Sequence, residues 1–121
     1  MKKLKQFEVP ILNSEYKVYV FIGDRDKANK SICEYLEEKG PLITSENRGR
    51  SMYRRGFHPC IWIDGEVDFR TSVATISHEA IHAVSDMMGY LGMDPRDTSG
   101  NEFLAHSVAA VMREVLKNVK K

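Results

Sequence analysis

The sequence predicts an α+β domain: a small antiparallel or mixed sheet, a first helix, a long middle helix and a C-terminal helix. Three observations predict it. The N-terminal stretch alternates side chains at period two, three later stretches repeat apolar residues at helical spacing, and a short apolar run lies between the first two of these. At 121 residues the chain is one domain, residues 1–121, large enough for a hydrophobic core but too short for two.

Taken in order, "FEVPIL" reads as a short strand, "NSE" as a turn and "YKVYVFIG" as a second strand. In the second, Tyr16, Val18, Val20 and Ile22 alternate against Lys17, Tyr19 and Phe21. Together they predict an N-terminal hairpin. A helix follows, capped by Asp24, with Ala28, Ile32, Tyr35 and Leu36 as its apolar stripe and Gly40–Pro41 as its stop. Residues 44–56 are polar and without periodicity, which predicts a loop. "FHPCIWI" is the third strand, closed by a turn at Asp64–Gly65. Pro59 has no N–H for a ladder, which places this strand at a sheet edge.

From about Phe69 to Tyr90 the apolar residues Val73, Ile76, Ala80, Ala83, Val84 and Met87 mark one face of a helix. Gly89, Gly92 and Pro95 interrupt the pattern, Asp94 and Asp97 suggest a turn, and a last helix runs from about Asn101 to Val119.

Composition narrows the function classes. Apolar and charged fractions of 42% and 29% suit a soluble globular protein, and a formal charge of +1 gives no overall field for nucleic acid or membrane. "RGRSMYRR" at 48–55 holds four arginines, read as a solvated loop that borders a substrate groove rather than as a nucleic-acid site. The basic start lacks an apolar stretch of signal-peptide length and no run is long enough to span a bilayer. Cys33 and Cys60 sit within apolar patterns, so buried thiols in a reducing cytoplasm are expected.

The chemistry concentrates in "SHEAIHA", 77–83. His78 and His82, four apart on a helix, project one above the other and can aim imidazole nitrogens at a single point about 2 Å from each, the zinc–nitrogen distance. Glu79 lies about 100° round from His78, outside that direction yet within reach of water at the same point. Two neutral nitrogen donors beside a carboxylate point to Zn2+ and an acid–base. A catalytic site needs a third donor. Glu102 is first choice, at the start of the last helix, and His106, one turn on, is second. Glu102 has a competing role: "SGNE" at 99–102 fits a capping box with Ser99 as N-cap.

His78-Glu79-x-x-His82 followed by Glu102 resembles the gluzincin branch of zinc metallopeptidases. The stretches "ISHEAIHAVSDMMGYLGM" and "NEFLAHSVAAVM" resemble small phage- and prophage-encoded zincin-like proteins. The resemblance covers roughly residues 60–116. It implies a minimal zincin-like core with an edge strand beside the active-site helix, and hydrolysis of a peptide or protein substrate by metal-activated water. Carried over by position, His78, His82 and Glu102 are ligands and Glu79 is the general base. Many gluzincins place an aspartate one turn after the ligand glutamate; this chain has His106, in position to support the site or to bind the metal itself.

A related implied reading is a mobile-element regulatory protease acting on a single repressor-type protein. A third, from the residues alone, is a non-catalytic zinc-stabilised binding domain in which His78, His82, Glu102 and His106 close the site. For a peptidase, substrate would lie along "FHPCIWI", touching His58, Pro59, Cys60, Ile61 and Trp62. Tyr53, His58 and Tyr90 are candidates to steady an oxyanion.

Overall fold

A computed structural model describes residues 3–11, 15–44, 46, 48–65 and 69–119. In chain order the elements are β1 (Leu4–Ile11), β2 (Tyr16–Gly23), α1 (Arg25–Leu36), β3 (Gly49–Met52), β4 (Cys60–Asp64), α2 (Phe69–Leu91) and α3 (Thr98–Asn118). The fold is α+β, as the sequence predicts. The "NSE" turn falls largely outside the described residues.

The four strands make one mixed sheet in the order β1-β2-β4-β3. β1 and β2 form the expected antiparallel hairpin, Leu4 opposite Gly23 and Ile11 opposite Tyr16. β2 and β4 run parallel, which requires a crossover, and α1 lies on that crossover. Alternation along β2 and β4 therefore feeds two cores. Val18, Val20, Ile22, Ile61 and Ile63 turn to the face covered by α2 and α3. Phe21, Cys60 and Trp62 turn to the other, against Ala28, Ile32 and Leu36 of α1. The central strands β2 and β4 are buried on both faces, not only on the one that the pattern in β2 suggested.

Local chemistry fixes the elements. Asp24 caps α1, its carboxylate accepting from Lys27 N at 3.0 Å. The helix ends four residues before Gly40, at Leu36, where Glu37 turns left-handed and its N–H bonds back to Cys33 O. Asn29 then ties down the chain leading to β3, accepting from Leu42 N and Ile43 N and donating to Ile43 O.

Two expectations are corrected. The sheet's edges are β1 and β3, and β3 lies inside the segment predicted as a loop; "FHPCIWI" supplies β4, which is paired on both sides. Pro59 does not contradict this, because it precedes the strand and contributes only its carbonyl, to Tyr19 N at 2.9 Å. The last helix begins at Thr98, with Asp97 rather than Ser99 at the N-cap, so the capping-box geometry does not form.

Candidate metal centre

α2 presents Ile76, Ala80, Ala83, Val84, Met87 and Met88 to the core. Spacing by 3.6 residues then leaves His78 and His82 on the outward face, and both are exposed. Their Nε2 atoms lie 3.2 Å apart, with ring centroids at 4.7 Å. Two nitrogens bound to one tetrahedral ion at 2.0–2.1 Å are about 3.3 Å apart, so the pair fits zinc. One N–H shared between two neutral imidazoles would span the same gap.

Glu79 is only 8% exposed, in contrast to the histidines either side of it. It lies against the edge strand: a Cβ built on Gly49 would meet the Thr75 side chain and stand 3.3 Å from Glu79 Cγ. Glycine there lets β3 approach α2 closely, and sequence reasoning missed it. The Glu79 side chain is thus buried where α2 meets the edge strand, while His78 and His82 stay on the exposed face of the same helix.

Further along α2, Asp86 and Tyr90 both lie within electrostatic reach of Tyr53. Burial raises the Tyr53 phenol, with Tyr90 and Asp86 adding and Arg55 opposing. Burial raises the Asp86 carboxyl as well, against the pull of nearby His82. Asp86 was also missed, although it repeats the four-residue spacing of His78 and His82.

The proposed third donor is not beside the pair. Glu102 and His106 face each other at 3.2 Å on exposed α3, with side chains 68% and 82% exposed. Among the described residues no group of three or more His, Cys, Asp or Glu is gathered for a metal.

The expected substrate residues on "FHPCIWI" are placed elsewhere. Pro59, Cys60, Ile61 and Trp62 are buried. His58 packs edge-to-face on Tyr19, accepts from Lys17 N at 3.4 Å, and its own N–H meets Tyr35 Oη at 2.8 Å on the α1 side. It is across the sheet from α2, because it shares its face with Cys60 and Trp62. Of the oxyanion candidates, only Tyr53 and Tyr90 lie on the α2 side.

No family model, no curated protein and no solved structure matches the chain.

Proposed function

We propose that the chain is a zinc-dependent peptidase with His78 and His82 as two of three metal donors and Glu79 as general base. The observation that carries this reading is the 3.2 Å separation of the two Nε2 atoms, on the helix that also carries the buried Glu79. The third donor would be Glu102, by its resemblance to the gluzincin ligand, or His106; neither is gathered with His78 and His82 among the described residues, so metal binding would have to bring one of them to the ion. Zinc at this position would polarise the scissile carbonyl and acidify the attacking water.

The chain's own groups do the rest. Glu79, buried where α2 meets β3 at Gly49, accepts the water proton on its carboxylate and returns it to the leaving amine. The open edge of β3 receives an extended substrate by main-chain hydrogen bonds, in place of the buried β4. Free Cys33 and Cys60 suit a reducing cytoplasm. No helix among the described residues is long and apolar enough to cross a membrane.

One observation favours a second reading. Glu102 and His106 sit together, so both joining His78 and His82 would close the ion off and make zinc structural. The test is Glu79→Gln in zinc-loaded protein. Zinc retained with peptide hydrolysis lost by at least about a hundredfold fits general-base catalysis; undiminished hydrolysis refutes it. If His106→Ala loosens zinc as severely as His82→Ala and the wild type hydrolyses nothing, the structural reading takes its place.

A further inference from the structure

The arginine-rich segment that composition alone assigned to solvent is the edge strand beside Glu79. Its register decides what faces outward. Asp64 N donates to Arg48 O at 2.9 Å, and Gly49, Arg50 and Ser51 stand opposite Ile63, Trp62 and Ile61. Ladder bonds in an antiparallel pair alternate, so Arg48 and Arg50 turn their main-chain groups to β4 while Gly49 and Ser51 turn theirs to the open edge. Gly49 is also the residue against Glu79, and Ser51 Oγ is buried with no hydrogen-bond partner among the described residues.

Side chains alternate too. Met52 is buried on the α1 face, so Arg48 and Arg50 project on that face, away from α2, and both are exposed. Arg54 is already used: its guanidinium donates to Leu36 O and Glu37 O, each at 2.8 Å, and lies 3.8 Å from Glu38. Arg48 and Arg50 form no ion pair among the described residues. A strand added at this edge would direct alternate side chains towards α2, and those between them alongside Arg48 and Arg50.

We infer that the edge of β3 selects extended acidic peptides, with Asp or Glu on the residues that point away from α2 and pair across the strands with Arg48 and Arg50. Opposite charges on adjacent strands attract, and the attraction weakens with salt. The inference names a substrate class for the proposed peptidase and rests on that reading for its consequence, but its binding step can be measured separately.

The experiment uses zinc-loaded Glu79→Gln protein and labelled peptides of one extended sequence, carrying Glu, Gln or Lys at alternate positions, with binding followed by fluorescence anisotropy. The Glu peptide is expected to bind about three- to tenfold more tightly than the Gln peptide at low salt, with the advantage shrinking as salt rises. R48E/R50E should reverse the order of Glu and Lys peptides; R48Q/R50Q should abolish it, and a thermal melt checks that each variant folds. Equal binding of all three peptides, or a preference that survives either double variant, overturns the inference. So does a single-stranded oligonucleotide that outcompetes the Glu peptide and loses its binding in R48E/R50E. Wild-type protein that cleaves all three peptides equally sinks the charge preference alone, whereas a Glu preference without cleavage of any peptide sinks the peptidase reading alone.

Discussion

Replacing Gly49 by alanine tests the contact between the edge strand β3 and α2. The added methyl would meet the Thr75 side chain and lie 3.3 Å from Glu79 Cγ and 3.2 Å from Trp62 O. Trp62 O belongs to β4 and cannot yield, so β3 or the helix side chains must shift. Overpacking of this kind costs about 1–3 kcal/mol, offset by about 0.4–1 kcal/mol because alanine narrows the unfolded ensemble. The mid-range values leave a net loss of about 1.3 kcal/mol. For a domain of this length 1 kcal/mol corresponds to about 4 °C, so Tm should fall by about 5 °C. Gly89→Ala is the control: it lies within α2, no atom is within 4 Å of a Cβ built there, and its Tm should rise by about 2–4 °C. Differential scanning calorimetry reads both. Thr75→Ser removes the methyl nearest the clash, so Gly49→Ala should cost much less in that background. A Gly49→Ala protein as stable as wild type, with no coupling to position 75, would refute the packing of β3 on α2.

Other outcomes follow from the buried groups. Burial holds the Cys60 thiol up at about 12, so native protein treated with iodoacetamide near pH 8 should be alkylated at Cys33 and spared at Cys60; mass spectrometry locates the label. His58 is lowered from its usual value, chiefly by burial and then by Lys17. The folded state therefore binds this proton less well than the unfolded chain. The stabilisation is full above about pH 6.5 and is lost as pH falls through the lower, folded value. His58→Gln should thus reduce the fall in Tm between pH 7.5 and 5.5; an unchanged fall would contradict the assignment.

The parts of the fold that were legible share a cause. The hairpin, α1 and α2 each bury a long periodic row, and Asp24 marks a cap that forms as read. β3 was hidden because an edge strand of four residues needs little apolar content: "GRSM" buries only Met52. Pro59 misled because a missing N–H matters inside a ladder, and this proline stands one residue before it. At the candidate site, the closeness of His78, Glu79 and His82 was readable because one helix carries all three. Where Glu102 and His106 stand relative to them was not, since that depends on the turn between α2 and α3 at residues 92–97. The close approach at Gly49 depends likewise on strand order, which no single segment encodes.

Zinc content of the purified protein, measured by elemental analysis for the wild type and for His78→Ala and His82→Ala, tests the central claim most directly. One zinc per chain in the wild type, lost in either variant, is the predicted result. A wild type that takes up no zinc, or holds it undiminished without either imidazole, would contradict it and leave the 3.2 Å pair as a shared proton between two histidines.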